Sequence, residues 1–331
     1  MSAMGAAAPA EARWWHPVAA EAELGGAPLA LRLLGTDLVL WRNAFGVHAF
    51  DDRCPHRGAR LSLGRVVGDA LQCAYHGWCF DGGGRCTRVP ALPGFAPPAG
   101  HGVPSWQVAV AHGLLWVARD PHEPAPPALP GLPVRRVACG PYVVETSAPR
   151  VVENFLDTSH FAFVHVGWLG DAGHPEVPAY EVGRTGDGRP LIERYRAWQP
   201  RAAASSSSGA WVDYRYEVLS PYSALLVKQP EGGGAAGLQD AYAAFACPLD
   251  EERTRVWFMQ FTSDERTPDA ELQAFQDAIF GQDRPVLESQ WPRRLPLASA
   301  TDGGELHSAA DRLSAAYRRW LQQQGVGFGV C

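Results

Sequence analysis

Short apolar runs separated by turn residues dominate the first 119 residues of the chain. Residues 38–41 and 47–50 are two such runs, and the Asn and Gly of residues 43–46 between them favour a hairpin turn. Residues 81–84 form a Gly-rich tight turn, and residues 114–118 are another apolar run. No long 3.6-residue period occurs in this part of the chain. The pattern therefore predicts a mainly β domain.

Three longer segments in the second half of the chain are rich in aromatic and β-branched residues. These segments cover residues 179–198, 210–230 and 238–263, with turn residues between them. Such a pattern is typical of an antiparallel sheet. We expect polar loops at the serine run 205–208 and at the Gly-rich residues 231–234.

Two segments near the C-terminus have a helical period. The first starts at Thr267 and Pro268, because Thr is a capping residue and Pro suits the first helical position. Its apolar face carries Leu272, Phe275 and Ile279. The second runs from about residue 309 to residue 323 and shows an apolar stripe typical of a packing helix.

The best domain boundary is a proline-rich stretch. Prolines recur between residues 121 and 133, and each lacks an amide donor and fixes φ, so this stretch predicts an extended connection. We expect a disordered Ala-rich tail over residues 1–11, a β domain over residues 12–120, a connection over residues 121–134 and a second domain over residues 135–331. The tail has no Lys or Arg and therefore lacks the charged region of a secretory signal, which favours a cytoplasmic protein.

Charge and cysteine content exclude several classes of protein. The net charge is -6, with no basic stripe, so nucleic acid and membrane surfaces are not expected partners. No run approaches the ~20 apolar residues of a membrane span. The chain has seven cysteines, an odd number that argues against a disulfide framework. We expect five of them to be free thiols: Cys79, Cys86, Cys139, Cys247 and Cys331.

The other two cysteines belong to a motif with metal-ligand spacing. Cys54 and His56 lie on one turn, and Cys73 and His76 lie on another, with sixteen residues between His56 and Cys73. Two thiolates and two imidazoles are the mixed ligand set of a Rieske [2Fe–2S] cluster. A zinc site is the alternative, although zinc motifs usually pair the two Cys first and then the two His. The order of ligands favours the iron–sulfur cluster.

The residues around these ligands resemble the Rieske domain of ring-hydroxylating oxygenases. The resemblance rests on Cys-Pro-His-Arg-Gly at residues 54–58 and Cys-Ala-Tyr-His-Gly-Trp at residues 73–78. Respiratory Rieske proteins carry two further cysteines that form a disulfide beside the cluster. Ala59 and Tyr75 occupy those positions here, which argues for an oxygenase cluster.

A second group of candidate ligands follows in residues 153–165. Asn154, Asp157 and His160 are three residues apart, so on a helix they lie along one stripe. His165 is five residues past His160, about 140° away on a regular helix. If both imidazoles meet one metal, the helix must bulge or break between them. Two histidines and a carboxylate form the facial triad of iron(II) oxygenases, although such a site also suits Mn²⁺ or Zn²⁺.

The resemblance extends to the third ligand and to the residues beside the iron. Residues 282–290 look like the third-ligand segment of the same oxygenases, which implies Asp283 as the carboxylate ligand, with Asp277 and Glu288 as alternatives. The family's matching aspartate bridges an iron-binding histidine to a Rieske histidine of the neighbouring subunit. This implies that Asp157 joins its own His160 to His76 of an adjacent protomer. Asn154, by the same resemblance, is a further position near the iron.

Nearly the whole chain takes part in the resemblance. Residues 159–171 and the C-terminal tail are similar to the saxitoxin-pathway Rieske hydroxylases, and the wider group includes vanillate- and dicamba-type O-demethylases. The implied fold class is α+β: an all-β Rieske [2Fe–2S] domain followed by a helix-grip (START-like) catalytic domain with an antiparallel sheet. The implied assembly is a head-to-tail homotrimer. A separate NAD(P)H-dependent reductase, of flavin and plant-type [2Fe–2S] composition, would supply the electrons.

The resulting functional interpretation is a terminal oxygenase component. It would use O₂ and mononuclear Fe(II) to hydroxylate or oxidatively demethylate a small aromatic or alkaloid-like substrate. The alternative within the family is a cis-dihydroxylating dioxygenase, and the alternative from another class is an electron carrier without catalytic iron. We expect the pocket in the second sheet, among residues such as Trp211, Tyr214, Tyr216, Tyr242 and Phe258, most of which we expect to pack in the core of that sheet.

Overall fold

The chain forms two compact units, Met1–Pro126 and Pro127–Cys331, called the N-terminal and C-terminal units below. The computed structural model describes residues 9–201, 209–231, 239–298 and 304–331. Residues 1–8 of the expected tail, the serine run 205–208 and residues 232–234 of the second expected loop lie outside the described residues.

The N-terminal unit consists of short strands joined by turns. Its strands are β1 (His16–Ala20), β2 (Leu29–Leu33), β3 (Thr36–Asn43), β4 (Gly46–Asp51), β5 (Arg65–Val67), β6 (Ala70–Gln72), β7 (Cys79–Phe80), β8 (Cys86–Arg88), β9 (Ser105–Ala111) and β10 (Leu114–Ala118). They form an antiparallel six-stranded sheet in the order β1-β10-β9-β4-β3-β2 and a four-stranded sheet in the order β5-β6-β7-β8. The predicted mainly β character is confirmed.

The predicted hairpin corresponds to β3 and β4, in which Asn43 pairs with Gly46 across the turn. Consecutive residues are buried in each strand, and these include Trp41 and Phe50, both of which are completely buried. Both side chains belong to an apolar core cluster that also contains Cys54 and Cys73. The loops that carry the two cysteines are therefore anchored on the core of the unit.

The disordered tail was expected to reach residue 11, but its last residues have regular structure. Residues Ala10–Arg13 form a 3₁₀ turn, and Glu11 is buried. The backbone carbonyl of Glu11 accepts a hydrogen bond from Nε2 of the buried His16 at 2.8 Å. An Ala-rich sequence carries no signal for this contact, which depends on a partner five residues away.

The C-terminal unit contains one large sheet and four helices among its described residues. Its elements are β11 (Arg135–Val144), α1 (Ala148–Leu156), α2 (Phe161–Val164), β12 (Gly183–Arg184), β13 (Pro190–Gln199), β14 (Ala210–Ser220), β15 (Ser223–Pro230), β16 (Asp240–Asp250), β17 (Arg253–Thr262), α3 (Asp269–Ser289) and α4 (Arg312–Gln323). The antiparallel sheet has the order β11-β17-β16-β15-β14-β13-β12. The predicted sheet is confirmed, and so is the α+β fold class.

Helix α3 packs its apolar stripe against the sheet. Leu272, Phe275 and Ile279 are buried in a cluster that also contains Phe258 of β17. The helix begins at Asp269, two residues after the predicted cap, because the Thr267 hydroxyl donates to Asp264 instead of capping the helix. No helix in the described part of the chain is long and apolar enough to cross a membrane.

Candidate active site

Two loops of the N-terminal unit have matching backbone hydrogen bonds. In the first, the Cys54 amide donates to the Ala59 carbonyl and the Gly58 amide donates to the Cys54 carbonyl, both at 2.8 Å. In the second, the Cys73 amide donates to the Trp78 carbonyl at 2.8 Å and the Gly77 amide donates to the Cys73 carbonyl at 3.1 Å. In each loop, the two hydrogen bonds join the cysteine to the residues four and five positions further along the chain.

Glycine is required in both loops. Gly58 and Gly77 each have a φ of +71°, a left-handed conformation that other residues adopt at a cost. A Cβ at Gly77 would also lie 3.1 Å from Cγ of Pro90. The glycine after each Cys and His pair in the sequence is therefore part of the loop geometry.

The four predicted cluster ligands occupy one site with a buried side and an exposed side. Cys54 and Cys73 are buried, whereas His56 is half-buried and His76 is exposed. The two imidazole centroids are 4.4 Å apart, and the His56 ring stacks on Trp78 at 4.6 Å. The imidazoles therefore lie on the solvent side, where an electron donor has access.

The side chains of this site fit a bound cluster. Burial, and to a smaller extent the neighbouring Cys73 thiol, raises the pKa of Cys54. A bound cation such as iron would favour the thiolate form at this position. Nδ1 of His56 is buried and has no hydrogen-bond partner among the described residues. A buried ring nitrogen of this kind is suited to bind a metal.

The helix that was expected to run through residues 154–160 ends earlier. Helix α1 ends at Leu156, and Asp157 has an extended conformation. The cause is local: Oδ1 of Asp157 accepts hydrogen bonds from the amide of Ser159 at 2.6 Å and from its hydroxyl at 2.7 Å. Such side-chain bonds compete with helix formation. The prediction that Asn154, Asp157 and His160 lie along one stripe of a single helix is therefore wrong.

The bulge or break that was expected between the two histidines lies before them instead, at Asp157, and the residues between them form a single helical turn. His160 and His165 flank helix α2, and His165 has already left the helical conformation. The loop after His165 folds back so closely that a Cβ on Gly170 would lie 1.8 Å from the Phe161 carbonyl oxygen. The imidazole centroids of the two histidines are 5.0 Å apart.

Helix α3 brings the carboxylate of Asp283 to these imidazoles. Asp283 is four residues past Ile279, so it continues the buried face of the helix. Its Oδ1 lies 3.1 Å from Nε2 of His165 and 3.5 Å from Nε2 of His160. The alternatives point elsewhere: Asp277 accepts a hydrogen bond from Tyr142, and Glu288 accepts one from the amide of Glu145.

The three ligand atoms are spaced for one metal ion. The two Nε2 atoms are 3.2 Å apart, and all three atoms lie within 4.8 Å of one another. Metal–ligand bonds of about 2.1 Å at right angles separate adjacent ligand atoms by about 3.0 Å, so the spacing fits one face of an octahedron.

Neighbouring side chains orient the two rings. Nδ1 of His165 donates to Oε1 of Gln282 at 2.8 Å, which leaves Nε2 free to accept a metal. Nδ1 of His160 lies 3.5 Å from Oδ2 of Asp157, in a geometry that leaves it without a hydrogen bond to any described residue. We therefore regard this pair as an electrostatic contact. Burial opposes the ionisation of Asp157, but His160 and Ser159 outweigh it and lower its pKa.

Asn154 lies near the three predicted iron ligands. Its Nδ2 is 3.5 Å from Oδ1 of Asp283, at the outer limit of a hydrogen bond, and its side chain lines a cavity beside them. His160, His165 and Asp283 line the same cavity.

The opposite wall of this cavity comes from the sheet. Tyr214, Tyr242 and Phe258 line it, as expected, whereas the buried Tyr216 and the partly exposed Trp211 are not among the lining residues. Three polar lining residues were not anticipated from the sequence: Gln199, Lys228 and Gln276. A signal for one of them was present, because Lys228 is the only lysine in the chain.

Two family matches cover most of the chain. Residues 14–107 match the Rieske [2Fe–2S] domain, and residues 144–325 match the vanillate O-demethylase oxygenase C-terminal domain. The first match contains all four predicted cluster ligands, and the second contains both histidines and Asp283.

Known relatives and solved structures agree with these matches. The chain is 33% identical over 94% of its length to methylxanthine N1-demethylase NdmA of Pseudomonas putida, covering 88% of that protein. A structure of NdmA with caffeine superimposes with a TM-score of 0.82 at 32% identity, covering 94% of this chain and 90% of the other.

A structure of dicamba monooxygenase with non-heme iron and dicamba has a TM-score of 0.67 at 27% identity, with 95% of this chain and 98% of the other covered. The chain therefore belongs to the Rieske non-heme iron oxygenases, as an O₂-dependent oxidoreductase whose cofactors are a Rieske [2Fe–2S] cluster and a mononuclear iron.

Proposed function

We propose that the chain is a terminal monooxygenase component that oxidatively demethylates, or hydroxylates, a small aromatic or alkaloid-like molecule. The observation that carries this proposal is the convergence of His160, His165 and Asp283 on the wall of a cavity lined by aromatic side chains. The relatives support the reaction type, because they include N-demethylases of methylxanthines and an O-demethylase oxygenase subunit.

We assign one set of residues to each metal centre. Cys54, His56, Cys73 and His76 hold the [2Fe–2S] cluster, while His160, His165 and Asp283 hold the mononuclear iron. When bound, the cluster supplies one-electron transfer and the mononuclear iron supplies O₂ activation.

The protein's own contribution is to orient ligands and substrate. Gln282 fixes the ring of His165 through Nδ1, and Asp157 places a negative charge beside Nδ1 of His160. Such neighbours set the direction and basicity of metal-bound imidazoles. The aromatic side chains of Phe155, Phe161 and Phe258 line the cavity and exclude water from the bound substrate.

The overall reaction balances with two electrons. A methyl carbon bound to oxygen or nitrogen takes one oxygen atom from O₂, and the other oxygen atom leaves as water with two protons. The hydroxymethyl product then loses formaldehyde and leaves a free hydroxyl or amine. A separate reductase supplies the two electrons from NAD(P)H, in keeping with relatives named as oxygenase components or subunits.

The assembly forms part of the same proposal. We infer a head-to-tail homotrimer in the cytoplasm, in which Asp157 of one protomer contacts His76 of its neighbour. The electron source would be a flavin and plant-type [2Fe–2S] reductase. The exposure of His76 and the partial exposure of Asp157 support this arrangement, because both side chains remain available to a second protomer.

The test measures iron, oxygen and formaldehyde together. The holoenzyme is supplied with a surrogate reductase, NADH, and methoxybenzoates or N-methylxanthines as substrates. We expect near three iron atoms per chain and one formaldehyde per O₂ consumed with an accepted substrate. His160→Ala should retain about two iron atoms and release no formaldehyde. A wild-type protein with only two iron atoms would indicate an electron carrier, and a cis-diol product without formaldehyde would contradict demethylation.

A further inference from the structure

The single lysine of the chain occupies an unusual position. Of the 29 Lys and Arg residues, Lys228 is the only lysine. Its side chain is 2% exposed, and it lines the cavity that the predicted iron ligands share. Lysine is almost never fully buried without a partner, because the desolvation of an ammonium group is costly.

The structure gives the Lys228 ammonium no hydrogen bond or ion pair with any described residue. The ring of Tyr242 is 5.3 Å from its nitrogen. Asp240 lies opposite Lys228 on the adjacent strand, but its carboxylate accepts the hydroxyl of Thr262 at 2.6 Å. Burial lowers the pKa of Lys228, and the charge of Asp240 only partly opposes this effect.

Two buried hydroxyl groups lie on the same face of the sheet. Tyr214 pairs directly with Lys228, and Tyr242 pairs with Leu226, two residues before Lys228. The hydroxyls of Tyr214 and Tyr242 are buried and lack a hydrogen-bond partner within the described residues. The three residues that carry these donors line one cavity, and none of the three donors has an acceptor among the described residues. Such an arrangement is expected for a ligand that brings its own acceptors.

We propose that Lys228, Tyr214 and Tyr242 form an oxyanion subsite that binds the carboxylate of an aromatic acid substrate. This inference rests on the proposed function and narrows its substrate class. The carboxylate would lie on the sheet wall, and the methyl-bearing end of the substrate would face the helical wall that carries His160 and Asp283.

A lysine at position 228 is better suited than an arginine to bind a small anion. One ammonium group and two hydroxyls match the two oxygen atoms of a carboxylate, whereas a guanidinium group would introduce five donors into the same space. A charge-assisted hydrogen bond in this dry environment contributes about 1.5–3 kcal/mol, or about 10- to 150-fold in affinity. The same ammonium repels cationic substrates, so guanidine alkaloids are disfavoured.

The test compares matched neutral and anionic ligands. Binding of 3- and 4-methoxybenzoate and of the corresponding methoxybenzamides is measured by calorimetry on the anaerobic holoenzyme without reductase. We expect the wild type to bind a benzoate at least 10-fold more tightly than its benzamide. Lys228→Met should remove this preference, because it keeps an unbranched side chain only one atom shorter and deletes the charge. Arg194→Met is the control, since Arg194 is a 71% exposed residue of the same sheet that is absent from the cavity lining.

Each outcome bears on the inference. Equal binding of benzoate and benzamide by the wild type, or no binding of either, overturns the subsite even if Lys228→Met fails to fold. An unchanged preference in a folded Lys228→Met protein with full iron content also overturns it. A benzoate that binds through Lys228 but releases no formaldehyde supports the subsite and contradicts demethylation. Formaldehyde from both ligands with equal KM contradicts the subsite alone.

Discussion

At the scale of single residues, Asp157 has the clearest functional prediction. It ends helix α1 through Ser159 and places a charge 3.5 Å from Nδ1 of His160. Asp157→Asn keeps the shape and removes the charge. We expect the cluster to assemble and reduce normally while substrate turnover falls by about 10- to 100-fold, as for other neighbours of metal ligands. The EPR signal of the reduced cluster and the rate of product formation check the two halves of this prediction.

A matched control for this change is Asp171→Asn. Asp171 also accepts a hydrogen bond from an amide two residues on and contacts a histidine three residues on, but its side chain is 40% exposed and does not line the cavity. We expect turnover close to that of the wild type in this control. Normal turnover in Asp157→Asn would remove the basis for its role beside the iron.

The residues that could be predicted from sequence were those with characteristic spacing. Cys54, His56, Cys73 and His76 fall on two short turns, and the structure brings their side chains to one site. Lys228 could not be assigned in the same way, because it follows the apolar run of residues 224–227 and resembles a strand-end residue that faces solvent. Its burial depends on pairing with β14 and β16, which is long-range information that periodicity does not contain.

At the scale of elements, helix α3 connects packing to the iron site. Ile279 is buried one turn before Asp283 on the same face, so its side chain fixes how the helix presents the carboxylate. We expect Ile279→Ala to lower the free energy of unfolding by about 2–4 kcal/mol and to reduce bound mononuclear iron. Urea unfolding followed by tryptophan fluorescence, together with iron analysis, measures both effects.

The control for the packing prediction lies on the same helix. Val286 is 43% exposed, so Val286→Ala should cost less than about 0.5 kcal/mol and should leave the iron content unchanged. Equal losses in the two variants would mean that helix propensity, rather than contact with the sheet, accounts for the effect.

Element boundaries were the least predictable part of the fold. The strands β3, β4 and β10 follow alternation or apolar runs and were predicted closely. Strand β11 was missed because Gly140 and Pro141 interrupt its pattern and its pairing shifts between Cys139 and Tyr142. The end of α1 was missed because a side-chain bond at Asp157, not the hydrophobic period, determines it.

At the scale of the whole molecule, the two predicted metal centres lie in different units, which allows a test of the proposed trimer. The predicted cluster ligands lie in the N-terminal unit, and the predicted iron ligands lie in the C-terminal unit. Cys54→Ser should abolish the cluster alone, and His160→Ala should abolish the mononuclear iron alone. Each variant by itself should be inactive, because each lacks one of the two centres in every protomer.

Mixed assemblies of these two variants show whether electrons cross the subunit boundary or stay within one chain. In a head-to-tail ring with random mixing, roughly a quarter of the interfaces place an intact cluster beside a neighbour's intact iron site. If electrons cross the subunit boundary through His76 and Asp157, co-expression of the variants should restore roughly a quarter of the wild-type formaldehyde release. If electrons stay within one chain, every protomer of the mixture lacks one centre and the mixture stays inactive. Adding Asp157→Asn to the Cys54→Ser chain should lower the restored activity by about 10- to 100-fold, since that chain provides the only intact iron sites.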